Sequence, residues 1–238
     1  MIRTSLLYGL IAASANLLGA AAVTVRRQWS VRAVDTLIAI AGGFLVSVSL
    51  TGILPEAIER TGARAPIVAL VGYLLVHLTQ HTLSAHFHFG EETHEVSGMV
   101  GISALAGLLL HTFVDGVAIA SGFAVSESLG VLIFMGILLH KFPEGLAVSS
   151  LFLAAGAGRR RALLAGAALG VATIAGVLLT ESVAFLADYG LGLSAGVTLY
   201  VAASNLVPEF QNRPGWGMQV SFFAGCALYL VARLVVSQ

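Results

Sequence analysis

Uninterrupted apolar runs of about 20 residues, the length a helix needs to cross a bilayer, follow one another along almost the whole chain. Eight can be drawn, at 4–25, 34–54, 66–85, 99–120, 130–153, 162–186, 190–208 and 216–236. Within them apolar residues are continuous rather than alternating, which fits helices and not the strands of a membrane barrel. Eight spans leave no room for a soluble domain within these 238 residues. The expected fold is therefore all-α and integral to the membrane, with the lipid bilayer as its first partner. Composition agrees. Only 10% of residues are charged, against about 25% in soluble domains. A net charge of zero excludes the basic surface of a nucleic-acid binder. A single cysteine, Cys226, excludes an internal disulfide framework and a cysteine-based zinc cage.

Orientation follows from the arginines, which favour cytoplasmic loops. The loops after spans 1, 5 and 7 carry Arg26, Arg27, Arg32, Arg159, Arg160, Arg161 and Arg213. The other side receives Arg3, Arg60, Arg64 and Arg233. The odd-numbered loops are thus expected in the cytoplasm and both termini outside. Arg3 and the small residues at Gly19-Ala20-Ala21-Ala22 also permit a cleaved leader, but cleavage would strand the first arginine cluster outside.

Two segments, Gly43–Glu56 in span 2 and Gly196–Glu209 in span 7, align without gaps at an offset of 153 residues. Glycine, valine, an aliphatic pair and Pro-Glu coincide. The two spans run in opposite directions, so the alignment predicts an inverted repeat of the kind found in secondary transporters. The halves would be about 4–85 and 162–236, with spans 99–120 and 130–153 unpaired between them and a loop at 86–98. The whole chain would be one transporter domain.

Those two central spans hold the ionisable residues. Span 4 contains His111-Thr112-Phe113-Val114-Asp115-Gly116, and span 5 contains His140-Lys141-Phe142-Pro143-Glu144-Gly145. In each, a histidine and a carboxylate stand four residues apart, on one helical face. Each such group costs about 2.5–3.5 kcal/mol or more inside a bilayer, so packing is a poor explanation for five of them. Two imidazoles and two carboxylates can close a four-coordinate site for Zn²⁺. The same donors accept Cd²⁺, Fe²⁺, Mn²⁺ or Co²⁺. Pro143 frees the carbonyl of Leu139, a further acceptor at that depth. A structural ion pair or a proton relay is the plainer alternative for either pair alone.

At these residues the chain resembles the ZIP (Zrt/Irt-like) metal transporter family. His111-x-x-x-Asp115-Gly116 and His140-Lys141-x-Pro143-Glu144-Gly145 are similar to its two signature motifs, and the likeness extends over the eight spans. It implies a divalent-metal importer, zinc foremost, with eight helices in a 3+2+3 arrangement and often a homodimer. Metal is then the transported substrate, with no resident cofactor, and the chain is not an enzyme. The short loops and Ala/Leu/Arg-rich composition suggest a prokaryotic inner membrane. Some relatives hold two metals. Their second site uses positions that here are Thr112, Lys141 and, by approximate spacing, Thr173. An ammonium at 141 can replace the second cation and pair with Asp115 or Glu144, so one metal is expected.

Further pathway candidates are Glu181, Asn205, Glu209 and Glu56, with Ser47, Ser49 and Thr51 in span 2. His77 and His81 end span 3, and His86, His88 and His94 follow in a loop with Glu91, Glu92 and Glu95 and no Lys or Arg. Such a loop is attractive to cations. Two other classes remain open from the residues alone. One is an intramembrane metal hydrolase, although no His-Glu-x-x-His is present. The other is a metal-free channel or proton-coupled carrier.

Overall fold

The computed structural model describes residues 2–25, 30–82, 98–211 and 216–236. The loop histidines His86, His88 and His94, with Arg26, Arg27 and Arg213, lie outside these residues. Among the described residues eight helices follow in order: α1 (Ile2–Val25), α2 (Val31–Val48, continuing to Thr61), α3 (Arg64–Thr82), α4 (Gly98–Val125), α5 (Glu127–Ala154), α6 (Gly158–Ser182), α7 (Ala184–Tyr200, continuing to Gln211) and α8 (Gly217–Val236). No strand occurs among the described residues. Seven of the helices are long and apolar enough to cross a membrane, and Arg64–Gln80 in α3 is a shorter apolar helix. The chain is an all-α membrane protein. On α3, Ile67, Leu70, Val71, Leu74 and Leu78 form an exposed stripe at helical spacing, a surface suited to lipid.

Local signals set the helix ends. Ser30 caps α2 by accepting from the Ala33 amide at 3.4 Å, and Ser126 caps α5 by accepting from Leu129 at 3.1 Å. Such oxygens satisfy amides that lack a helical partner. Gly62, with φ of 60°, ends α2 in a conformation open to glycine.

Helices α2 and α7 do not end at their Pro-Glu pairs as the sequence suggests. Each passes through a π-helical turn, Ser49–Ile53 in α2 and Val201–Leu206 in α7, and continues as Leu54–Thr61 or Val207–Gln211. The Leu54 amide donates to Ser49 and the Val207 amide to Ala202, five residues back in both cases. Pro55 and Pro208 then fall in the first turn of a new α-segment, where a missing N–H costs least. Pro55 also leaves the Thr51 carbonyl without its helical donor. The Arg233 guanidinium on α8 takes that place at 3.0 Å.

The helices pack as two groups. Helices α1, α4, α5 and α6 pack on one another, while α2 pairs with α8 and α3 with α7. The groups meet chiefly where α4 faces α7 and α2 faces α5. Glycines set the closest approaches. A Cβ at Gly43 would collide with the Phe222 carbonyl and meet the Cys226 amide; at Gly196 it would collide with Ala69 and meet Tyr73. Gly225 abuts Ile40 in the same manner, and Gly72 abuts Leu193. Each contact becomes the other under the shift that aligns span 2 with span 7. Helices α4 and α5 take part in a similar exchange. Gly19 of α1 sits on Phe142 and Leu146, and Gly176 of α6 sits on Phe113 and Val117.

Candidate metal centre

The two motif glycines explain how the central residues come together. A Cβ on Gly145 would overlap the backbone of Asn16 in α1, and one on Gly116 would overlap the Thr173 carbonyl in α6. Glycine lets those helices lie directly behind the motifs, as small residues do in membrane bundles. Neighbouring carboxylates Asp115 and Glu144 are thereby pressed into the seam between α4 and α5. His111, Asp115, His140 and Glu144 are all buried, with 3–4% of their surface exposed. Each offers a ligand atom, and these four atoms lie within 4.8 Å of one another.

One oxygen is the focus. Asp115 Oδ2 lies 3.1 Å from His111 Nε2, 3.4 Å from His140 Nε2 and 2.6 Å from Lys141 Nζ. The two imidazole Nε2 atoms are themselves 3.4 Å apart. His140 Nδ1 stands 3.0 Å from the carbonyl of Gly136, which only accepts. Nδ1 therefore carries the proton, and Nε2 turns a lone pair toward the cluster, the arrangement that prepares a histidine for metal. Two Nε2 atoms and a carboxylate oxygen converge, and although Lys141 donates to the oxygen, the His140 lone pair has no donor of its own in that arrangement, so a cation suits the convergence.

Lys141 is fully buried. Its ammonium bridges Asp115 Oδ2 and Glu144 Oε2, the latter at 3.0 Å. The side chain does not escape along the helix; it stands inside the cluster as a fixed positive charge. Thr112 donates to Glu144 Oε1 at 2.7 Å, so both oxygens of Glu144 are held. Thr173 is buried on α6, and its hydroxyl donates to Leu169 at 3.3 Å in its own helix. It is thus committed away from the cluster.

A cavity of about 20 Å³ adjoins the cluster, lined by His111, His140, Pro143 and Glu144, and from α7 by Val201 and Asn205. That volume holds about one water molecule or ion. Asn205 therefore stands beside the central residues, deeper than its sequence position near a helix end suggested. Of the other pathway candidates, none whose side chain is described belongs to the cluster or lines the cavity. Glu209 and Glu56 are half-buried beyond the π-turns. His77 is exposed on α3, its ring 5.8 Å from that of Tyr200. His81 and Glu181 lie in helices α3 and α6, with their side chains outside the description. Hydroxyls of Ser47 and Thr51 donate back to the carbonyls of Gly43 and Ser47 within α2, while that of Ser49 donates to Ala195 and ties α2 to α7.

Asn16 escaped the sequence reading. It is wholly buried at the α1–α5 contact, and neither amide atom has a hydrogen-bond partner. Its signal was an amide in the middle of an apolar run.

Compared with known proteins, the chain matches the sequence model of the family described as ZIP Zinc transporter over residues 88–232, more than half of its length. No curated protein matches it.

Proposed function

Because this chain belongs to the ZIP zinc transporter family, and is on that ground a divalent-metal transporter, we propose that it carries zinc toward the cytoplasm through a single site. The site is formed by His111, Asp115, His140 and Glu144, deep within the membrane. The observation that carries this reading is the convergence of His111 Nε2, His140 Nε2 and Asp115 Oδ2 within 3.4 Å of one another. Imidazole nitrogen with carboxylate oxygen is a set that Zn²⁺ accepts, along with Cd²⁺, Fe²⁺ and Mn²⁺.

A single ion follows from Lys141. Its ammonium holds both carboxylates, where the two-metal relatives place an acid. A second dication there would face a buried positive charge with no spare ligand, since the hydroxyls of Thr112 and Thr173 are already engaged.

Transport by alternating access fits an inverted repeat of the two halves, about 4–85 and 162–236. That repeat is supported by the exchanged glycine contacts and by π-turns at equivalent places in α2 and α7. Protonation of the ligands would favour release, because metal binds their deprotonated forms. The arginine distribution supports both termini outside, and the histidine-bearing segment 86–98 would receive metal on the cytoplasmic side.

The test is ⁶⁵Zn²⁺ uptake into proteoliposomes, with Cd²⁺, Mn²⁺ and Fe²⁺ as competitors. Wild type should accumulate zinc, and His140→Ala with Glu144→Ala should not. No uptake of any of these metals by a folded, inserted wild type would refute the reading.

A further inference from the structure

We propose that Asn205 supplies a fifth metal ligand, its side-chain carbonyl oxygen, from the helix group that carries none of the other four. This rests on the reading of His111, Asp115, His140 and Glu144 as the transport site. Those four residues stand on α4 and α5. The facing wall of the adjoining cavity comes from α2 and α7, and of its lining residues there, Ile38, Val201, Asn205 and Leu206, only Asn205 is polar. Among the described residues its amide makes no hydrogen bond, yet it is half-buried in a span. A polar side chain at such depth needs water or a ligand as its partner. The cavity it lines is the one bounded by His111, His140 and Glu144.

The backbone explains the placement. Asn205 lies inside the π-turn Val201–Leu206, and the extra residue of such a turn shifts the helical face presented on either side of it. Isolated π-turns recur at functional sites for this reason. The equivalent position in α2 is Gly52, also in a π-turn. There a Cβ would stand 3.0 Å from the Tyr229 hydroxyl, so protein already fills the matching space. The acceptor therefore exists on one half only. An amide oxygen suits the role: it adds a neutral donor, which holds a dication less firmly than a third carboxylate would.

Co²⁺ binding to the full-length protein in lipid nanodiscs tests this, because the cobalt spectrum reports coordination number independently of transport. Asn205→Leu fills the amide volume without an acceptor. It should shift the spectrum from the weak bands of a five-coordinate ion to the intense bands of a four-coordinate one, and weaken Co²⁺ binding about tenfold. Asn205→Asp keeps an oxygen and adds charge; it should retain the five-coordinate spectrum and bind more tightly than wild type. Unchanged spectrum and affinity in Asn205→Leu would overturn the inference while leaving the transport site standing. So would an Asn205→Asp that binds no more tightly than wild type, should the leucine variant fail to fold. A folded wild type that binds no Co²⁺, or binding that survives His140→Ala with Glu144→Ala, would instead overturn the reading of the site itself.

Discussion

Replacing Lys141 by methionine removes one charge and keeps most of the side-chain volume. The ammonium lies 2.6 Å from Asp115 Oδ2 and 3.0 Å from Glu144 Oε2, fully buried. An ion bonded to Asp115 at about 2.1 Å would stand about 4 Å from Nζ, and at that distance a dication and an ammonium repel by about 2 kcal/mol in water and about 8 kcal/mol at an effective dielectric of about 20. In the empty site the same ammonium neutralises carboxylates that the ion must later share, which adds to the handicap. Relaxation of the side chain works the other way, so the lower figure is the safer one. About 2 kcal/mol corresponds to about 30-fold in Kd. Lys141→Met should therefore bind one Cd²⁺ at least about 30-fold more tightly than wild type in calorimetric titration at fixed pH. Tighter binding appears mainly in slower dissociation, so ⁶⁵Zn²⁺ uptake should saturate at lower zinc and reach a lower maximal rate. Thermal stability of the empty variant should fall, since two buried carboxylates lose their partner. A folded Lys141→Met that binds Cd²⁺ no more tightly than wild type would refute the argument.

Three other perturbations probe different parts of the structure. Lys141→Asp places an acid between the existing carboxylates, and Cd²⁺ titration should count two ions per chain in place of one; a count of two in wild type would contradict the single site. Gly145→Ala forces a Cβ into the Asn16 backbone and should cost about 1–3 kcal/mol or more, lowering the melting temperature and uptake together. Gly217→Ala, where no atom lies within 4 Å of the new Cβ, is the control and should melt like wild type. Arg233→Met leaves the Thr51 carbonyl without its donor and should cost about 1 kcal/mol, seen as a drop of about 2–4 °C in melting temperature.

Much of this was legible in the chain because the bilayer imposes simple rules. A run of apolar residues long enough to cross could only be a helix, so the eight spans and their order could be read directly. The histidine and carboxylate pairs were legible because four-residue spacing places them on one face whatever the helix packs against. Lys141 was legible as a charge with no reason to be at that depth except a partner. The π-turns were not legible. Ser49–Ile53 and Val201–Leu206 differ from ordinary helix by one hydrogen-bond register, and what stabilises them comes from other spans: Arg233 at the Thr51 carbonyl, and Tyr73 and Tyr229, whose hydroxyls lie 3.1 Å from those of Ser204 and Thr51. Asn205 was misplaced for that reason. Pro208 looked like a helix end, so an asparagine three residues earlier looked like a pathway residue near that end. Gly116 and Gly145 could be quoted as motif letters, but the backbone each admits belongs to a different span and emerges only from the packing.

The charge of the central cluster links this geometry to turnover. With neutral histidines, Asp115, Glu144 and Lys141 sum to one negative charge when the site is empty. A bound dication makes the sum one positive charge. Burial of net charge becomes costlier as the charge grows, in either sign, so the net charge of the site itself burdens the two states alike, apart from the dehydration of the ion. Without the lysine the sums would be minus two and zero. The loaded state would then be far cheaper to bury, and the ion would be held. With the lysine and two dications the sum would be plus three, and the second ion would be expelled. In that reading Lys141 would do more than fill a vacant second position. On the proposed function, it would set the balance between filled and empty states at which a carrier can both accept and release its ion, and the neutral fifth ligand proposed at Asn205 would adjust the coordination without disturbing that balance.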